Sequence, residues 1–327
     1  MRVLLFSAIL CGNLLAGDWV WELPKGFPEP KVPADNPMTT AKVELGRYLF
    51  YDTRMSVNGK ASCATCHKQE LAFTDGQPVG VGATGEKHPR GAMSLVNVAY
   101  SAVLTWNNPE MTELEKQALV PMMGDHPVEL GLREGDSFIP TLRKDAKYKA
   151  LFAQAFPEDK DPFTITNVTK ALASFQRSII SARSPYDRYH YYREDDAISD
   201  SAKRGEVVFF SQNRSCFRCH GGFNFAGEGQ EAEFHNTAVS AGPDKFKAPS
   251  LRNIAVTAPY MHDGSMATLD AVLDHYAAGG RYHDNPAKDV LLGGFTLSPE
   301  ERHDLIEFLR SLTDKEVLHD PRFANPW

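Results

Sequence analysis

The feature that most constrains this chain is a five-residue pattern, Cys-X-X-Cys-His, which occurs twice. The first copy reads CATCH at residues 63–67, and the second reads CFRCH at residues 216–220. Two thiols three positions apart meet the two vinyl groups of a haem, and the imidazole that follows binds its iron. The pattern therefore predicts two covalently bound c-type haems, each held by three residues: Cys63, Cys66 and His67, and Cys216, Cys219 and His220.

The same pattern disfavours two other uses of the four cysteines. Two short disulfides, which an exported protein can form, would not need a histidine after each pair. A zinc module keeps its cysteine pairs roughly 15–20 residues apart, whereas here one pair ends at Cys66 and the next begins at Cys216. Covalent haem is the interpretation that accounts for all six residues.

The N-terminal residues 1–17 have the pattern of a secretory signal peptide. Arg2 supplies a positive charge, an apolar run follows, and Ala16 is a small residue near the expected cleavage site. The run is too short to cross a hydrocarbon core of roughly 30 Å, and the bulky residue before Cys11 disfavours processing as a lipoprotein. We expect an exported, periplasmic protein that does not span the membrane.

Composition excludes several classes of protein. The 327 residues include 35 Lys and Arg against 42 Asp and Glu, a formal net charge of −7. This balance argues against a nucleic-acid partner, because phosphate binding needs a basic face. Hydrophobic residues make up 42% and charged residues 24%, which is typical of a globular protein and not of a disordered or polytopic membrane protein.

Hydrophobic periodicity predicts a mainly α fold with few short strands. We expect amphipathic helices over residues 164–180 and 268–278, and a terminal helix that begins with a capping box at Ser298. The helix over 268–278 presents four residues on its inner face: Leu269, Val272, Leu273 and Tyr276.

The sequence before the two haem motifs is similar, with Ala-Lys at residues 41–42 and again at 202–203. A helix that leads into a haem-binding turn therefore occurs twice, which indicates two cytochrome c-like haem domains related by duplication. We predict an N-terminal haem domain over residues 18–180 and a C-terminal one over 181–327, with the last helix free to pack back on the N-terminal domain.

With these motifs the chain resembles the bacterial di-haem cytochrome c peroxidases and their relative MauG. The resemblance covers residues 37–315. It rests on the two haem motifs and on six others, KVELG at 42–46, LFYD at 49–52, SLVN at 94–97, SPYDRY at 184–189, APSLRN at 248–253 and TAPYMHDG at 257–264.

The resemblance implies that the haem on His67 is the one that reacts with peroxide, which would make the N-terminal domain the peroxidatic one. Cleavage of a peroxide O–O bond needs a distal group that moves a proton between the two oxygens. Gln117 and Glu129 match the glutamine and glutamate that line this face in the family. Taken without the resemblance, Gln117 reads as a solvated helix residue and Glu129 as a surface acid.

Two more residues near the first haem are implied by the resemblance. Trp106 matches a tryptophan between the two haems that relays oxidising equivalents, a role compatible with core packing. Some family members close the peroxide-reactive iron with a histidine in a glycine-rich loop, but residues 80–85 of this chain contain none. His88 lies close by in sequence, and we expect the iron to stay open.

The distal ligand of the second haem is the residue on which the function depends. Tyr276, fourteen residues after His262, matches the position where cytochrome c peroxidases have methionine and MauG has tyrosine. A thioether favours ferrous iron and raises the potential, whereas a phenolate favours oxidised iron and lowers it. The alternatives are that Tyr276 is a core residue and that another side chain binds, with three within reach: His275, Met261 and Met266.

At two positions the chain departs from the family pattern. The resemblance implies a calcium ion bound by the carbonyls of Thr257 and Pro259, but the usual asparagine ligand aligns with Gly91, so a weaker site is expected. A surface tryptophan that MauG uses to pass oxidising equivalents to a partner aligns with Arg214. A different exit would be needed, and the chain offers a tyrosine cluster: Tyr186, Tyr189, Tyr191 and Tyr192.

The leading hypothesis is a MauG-like oxidoreductase that uses hydrogen peroxide to form a high-valent di-haem state and oxidises aromatic residues of an exported partner protein. The alternative is a di-haem cytochrome c peroxidase that reduces peroxide with electrons from a small c-type cytochrome. A third function, from another class, is a di-haem electron carrier without catalysis. A phenolic ligand favours the first, because it suits storage of oxidising equivalents better than collection of electrons.

Overall fold

The structure, a computed structural model, describes residues 19–24, 26–227 and 233–327; the predicted signal peptide lies outside these ranges. Within them the prediction of a mainly α fold with few short strands is confirmed, and no helix there combines the length and apolar composition needed to cross a membrane. The helices are α1 Thr40–Tyr51, α2 Cys63–Cys66, α3 Leu114–Gln117, α4 Leu119–Met123, α5 Phe138–Lys144, α6 Ala146–Ala155, α7 Ile165–Ser178, α8 Pro185–Tyr192, α9 Asp200–Phe209, α10 Cys216–His220, α11 Leu269–Ala277 and α12 Pro299–Ser311.

A single two-stranded antiparallel sheet is present in the described ranges. It pairs β1, Phe234–His235, with β2, Phe246–Lys247. Short 3-10 turns complete the regular structure, at Thr53–Met55, Gln69–Leu71, Val98–Tyr100 and Ile254–Val256.

The three helices predicted from periodicity are confirmed, and each begins at the residue that caps it. Thr164 and Thr268 accept backbone hydrogen bonds at the starts of α7 and α11. At α12 the hydroxyl of Ser298 accepts from the backbone N–H of Glu301, whose carboxylate accepts from the Ser298 N–H in return. This capping box satisfies two N–H groups that the first turn of a helix leaves without partners.

The described residues form two large hydrophobic cores and one small cluster of Val98, Leu114 and Ala173. One core gathers α1, α6 and α7, and the other gathers α8, α9, α11 and α12. Helix α12 packs against α9, whereas the chain beyond it returns to the first core through Val317, Leu318 and Phe323. The domain boundary between residues 180 and 181 stays a prediction.

Each core contains one helix crossing so close that only glycine fits. A Cβ on Gly46 of α1 would lie 2.0 Å from the carbonyl oxygen of Ala171 in α7. A Cβ on Gly205 of α9 would lie 1.9 Å from the carbonyl oxygen of Asp304 in α12. The repeated crossing agrees with the duplication inferred from the sequence.

A second repeat, missed in the sequence, follows each haem motif. The sequence Ser-Leu-X-Asn ends at Asn97 in the first half and at Asn253 in the second, and both asparagines adopt left-handed φ angles, 56° and 62°. The Asn97 N–H donates to the Ile179 carbonyl just after α7, and the Asn253 N–H donates to the Leu312 carbonyl just after α12, both at 2.9 Å. These hydrogen bonds join the first segment to the C-terminal end of α7 and the second segment to the C-terminal end of α12.

Candidate functional site

The first haem motif opens onto a cavity, the first cavity, which Cys63, Cys66 and His67 line. The ring Nδ1 of His67 lies 2.7 Å from the carbonyl oxygen of Phe73. Because a carbonyl only accepts, Nδ1 carries the proton and Nε2 keeps its lone pair for a metal. Burial lowers the pKa of His67, which keeps the ring neutral.

The second motif repeats this arrangement in the second cavity, which Cys216, Cys219 and His220 line. Nδ1 of His220 donates to the carbonyl oxygen of Phe225 at 3.2 Å, and burial lowers the pKa of His220 to about 4. The sequence did not predict these two carbonyl partners, because no periodic pattern marks them. Phe73 follows His67 by six residues, and Phe225 follows His220 by five.

The groups in both cavities fit a covalently attached haem. Each cavity offers one neutral imidazole with a free Nε2 and two thiols at the spacing of the porphyrin vinyl groups. Burial raises the pKa of all four thiols, to about 12 for Cys63 and Cys219 and about 11 for Cys66 and Cys216. Uncharged sulfur suits an apolar wall, and thioether formation would keep it uncharged.

The distal residues expected for the first haem, Gln117 and Glu129, both line the first cavity. Burial raises the pKa of Glu129. The segment that carries it is fixed by the glycine-rich loop, whose Ala83 N–H donates to the Glu129 carbonyl at 2.6 Å. A Cβ on Gly82 would lie 1.9 Å from the Val128 carbonyl oxygen, so glycine is required for this approach.

His88 also lines the first cavity. Its Nδ1 accepts the backbone N–H of Arg90 at 3.2 Å, so the neutral ring carries its proton on Nε2. That Nε2 lies 3.7 Å from a carboxylate oxygen of Glu129. His88 therefore points its N–H toward Glu129, and the expected open iron stays a prediction.

Tyr276 lines the second cavity together with the other three residues predicted for the inner face of its helix, Leu269, Val272 and Leu273. Burial raises the pKa of its phenol, and the nearby thiols of Cys219 and Cys216 raise it further.

The three alternatives to Tyr276 differ in where they lie. His275 lies within hydrogen-bonding distance of the Thr237 carbonyl through Nε2, at 2.8 Å, and is not among the residues that line the second cavity. Met266 is buried and does not line it either, whereas Met261 does.

Trp106 lines both cavities. Its indole Nε1 donates to the Gly91 carbonyl at 2.9 Å, and its own carbonyl accepts from the Lys247 N–H at 2.9 Å. The Phe246 ring meets the indole edge-on, with centroids 6.5 Å apart, and stacks on His262. The tryptophan is thus held in the wall that separates the two cavities.

Comparison with known proteins agrees with this geometry. The sequence profile described as "Di-haem cytochrome c peroxidase" matches residues 40–197. The methylamine utilization protein MauG of Methylorubrum extorquens is 34% identical over an alignment of 305 positions with gaps, which covers 88% of this chain and 82% of that protein. The chain belongs to the di-haem cytochrome c peroxidase and MauG family. It is therefore a haem-dependent enzyme of the peroxidase class, from a family that carries two haems.

Other similar proteins include both a cytochrome-c peroxidase and a MauG-like protein. A cytochrome-c peroxidase of Denitromonas iodatirespirans is 32% identical over an alignment of 377 positions with gaps, which covers 98% of this chain and 95% of that one. The crystal structure of a MauG-like protein associated with microbial copper homeostasis superposes with a TM-score of 0.90 at 38% identity, over 94% of this chain and 99% of that chain. These matches establish the family. They include members of both its cytochrome c peroxidase branch and its MauG branch.

The two departures from the family pattern have structural counterparts. No group of three or more His, Cys, Asp or Glu that could hold a metal ion occurs among the described residues, and the calcium site at Thr257 and Pro259 stays a prediction. Arg214 makes an ion pair with Glu301 at 2.9 Å and places its guanidinium over the Phe295 ring. Where the resemblance aligns the surface tryptophan of MauG, this chain therefore has a paired cation.

Of the predicted tyrosine cluster, Tyr186 is buried and Tyr192 is 47% exposed. The Tyr186 hydroxyl lies 3.0 Å from the Glu206 carboxylate, to which it donates, and its ring meets that of Phe225. Tyr186 is therefore a packing residue of the second core.

Proposed function

We propose that this enzyme uses hydrogen peroxide to oxidise aromatic side chains of an exported partner protein, as a member of the MauG branch. The observation that carries the proposal is that the phenol of Tyr276 and the imidazole of His220 line one cavity. A phenolic oxygen stabilises oxidised iron and a thioether stabilises reduced iron. Tyr276 as distal ligand would suit an enzyme that retains oxidising equivalents until a partner docks.

The first cavity has the groups that peroxide cleavage needs. When bound, the haems supply the iron that accepts an oxygen of peroxide and exchanges electrons with a donor. The Glu129 carboxylate accepts the proton of one peroxide oxygen and returns it to the departing oxygen, while the Gln117 amide orients the substrate. Burial raises the pKa of Glu129, which makes its carboxylate a better proton acceptor than an exposed glutamate.

Trp106 supports the sharing of oxidising equivalents between the two centres. Its ring is in the wall of both cavities, and its indole N–H is fixed on Gly91. An indole is readily oxidised, so electrons can pass through it without movement of the backbone.

The predicted leader supports a periplasmic enzyme and an exported partner. The similar proteins include MauG from methylamine utilization and a MauG-like protein associated with copper homeostasis. A partner protein from either setting is compatible with the proposal.

The test is to add peroxide to the di-haem protein together with candidate exported proteins and to search by mass spectrometry for aromatic residues that gain oxygen or lose hydrogen. We expect such products with the natural chain and their loss in Tyr276→Phe and Tyr276→Met. The conservative control is Tyr282→Phe, because Tyr282 is 43% exposed and outside both cavities. Products that persist unchanged in both Tyr276 variants would refute the role of this residue.

The second candidate function is reduction of peroxide by a small c-type cytochrome. Met261 favours it, because this thioether also lines the second cavity. If Met261 binds the iron, Met261→Leu changes the absorption spectrum of that haem and Tyr276→Phe does not. Turnover with reduced cytochrome c at roughly 10 per second or more, without oxidation of a partner protein, would make this the function.

A further inference from the structure

Strand β2 borders the second cavity and ends at Lys247, whose ammonium has no ion-pair partner among the described residues. Lys247 lines the second cavity and a neighbouring space. Its ammonium donates to the Val103 carbonyl at 2.5 Å, and its backbone N–H donates to the Trp106 carbonyl at 2.9 Å. The side chain is therefore held in one direction at the junction of Trp106 and the second cavity.

The other strongly charged groups around the second cavity are already paired. Arg214 is bound by Glu301 at 2.9 Å, and Asp289 lies 2.6 Å from Nδ1 of His235. Among the described residues no carboxylate lies within 4.0 Å of the Lys247 ammonium, and the one partner found for it is the neutral Val103 carbonyl. Burial without an anion lowers its pKa to about 8. A buried ammonium of this kind is costly unless an anion joins it.

The cofactor that fits this cavity brings such an anion. The two thiols account for the vinyl groups of a haem and His220 accounts for its iron, so the groups left to be matched on the rim are the two propionate carboxylates. We propose that the Lys247 ammonium binds a propionate of the haem held by Cys216, Cys219 and His220. The inference rests on the two-haem set of the family and not on the choice of substrate.

A fixed cation at this place has a measurable effect on the haem. A positive charge beside the propionate favours the reduced iron, which carries one positive charge less than the oxidised iron. Lys247→Met keeps the length of the side chain and removes the charge, so the midpoint potential of the second haem should fall. We expect at least a tenfold change in the ratio of oxidised to reduced haem at a given potential, equal to 59 mV for one electron.

The experiment is a spectroelectrochemical titration of the intact di-haem protein, which requires no substrate. Lys247→Arg keeps the charge and should retain most of the natural potential. The matched control is Lys245→Met, because Lys245 is exposed and lies two residues away. The haem on His67 is an internal reference, since Lys247 does not line the first cavity.

An unchanged potential in Lys247→Met, or an equal fall in Lys245→Met, would overturn the assignment. If Lys247→Met does not take up two haems, Lys247→Gln is compared by resonance Raman spectroscopy. The propionate bending band of the second haem should shift in that variant, and a band identical to that of the natural protein would again exclude the contact. Neither outcome depends on partner oxidation, so the proposed function can fail while this inference stands.

Discussion

The indole N–H of Trp106 donates a hydrogen bond to the carbonyl oxygen of Gly91 at 2.9 Å. The same glycine donates its own N–H to the His262 carbonyl, also at 2.9 Å. Trp106, which lines both cavities, is thereby hydrogen-bonded to Gly91. This is the position at which the family resemblance implies an asparagine ligand of calcium. In this chain the orientation of the indole is set by backbone hydrogen bonds.

The first prediction concerns that glycine. Gly91→Asn would restore the amide oxygen, and its Cβ would lie 3.1 Å from the Pro78 carbonyl oxygen, a tight contact that a small shift relieves. We expect the variant to gain calcium-dependent stability, about 2.7 kcal/mol when calcium is at 100 times its Kd. Thermal unfolding with calcium and with EGTA measures this, and Gly91→Ala controls for the added Cβ. A natural chain that responds to EGTA as strongly as the variant would contradict the expected weak site.

The second prediction is that Trp106→Phe uncouples the two centres. The variant loses the hydrogen bond to Gly91, which lowers the free energy of unfolding by about 1–3 kcal/mol, and it loses the oxidisable indole. After peroxide is added in a rapid-mixing experiment, spectral change at the first haem should continue while change at the second slows. Trp327→Phe is the control, because Trp327 is 55% exposed and lines neither cavity. Unaltered kinetics at the second haem would exclude Trp106 from the electron path.

The third prediction concerns a buried ion pair of the second core. Arg252 and Asp187 are both fully buried and lie 2.8 Å apart. Asp187→Asn leaves the guanidinium without its anion, which should destabilise the protein by about 3–5 kcal/mol in denaturant unfolding. The exposed pair of Arg183 and Glu316 gives the control, because Glu316→Gln should change stability by about 0–1 kcal/mol. Equal effects of the two substitutions would show that burial does not decide the outcome.

The features that were predicted correctly from the sequence depend on residues that are close together in the chain. The haem motifs and the caps at Thr164, Thr268 and Ser298 are short-range signals, and the helices they imply are present. The pairing of Asp187 with Arg252 had no such signal, because the two residues are 65 positions apart in the chain. The polar, tyrosine-rich residues 184–196 contain the helix α8 with its own capping box, which hydrophobic periodicity did not predict.

The direction of side chains on one helix shows the same limit. Tyr276 and His275 are neighbours on α11, and the side chains of both are of types that bind haem iron. Successive residues on a helix point about 100° apart, so the packing of α11 turns one toward the second cavity and the other toward the Thr237 carbonyl. The periodicity placed Tyr276 on the inner face of α11, but only the tertiary arrangement shows that this face meets the cavity that contains His220.

The fourth prediction is that Glu129 sets the pH dependence of the reaction with peroxide. Glu129→Gln removes the proton acceptor and should slow that reaction by roughly 10²–10⁴-fold. In the natural chain the carboxylate form is required, and burial raises the pKa of Glu129. The rate should therefore fall as pH decreases through the raised pKa, at a higher pH than the ordinary value of about 4.3 for glutamate.

The measurement is the rate of spectral change at the first haem after mixing with peroxide, recorded across a range of pH. Glu113→Gln is the matched control, because Glu113 is exposed and pairs with Lys116 on the surface. It should keep both the rate and the pH profile. A profile that is flat in the natural chain, or identical in Glu129→Gln, would assign the proton transfer to another group.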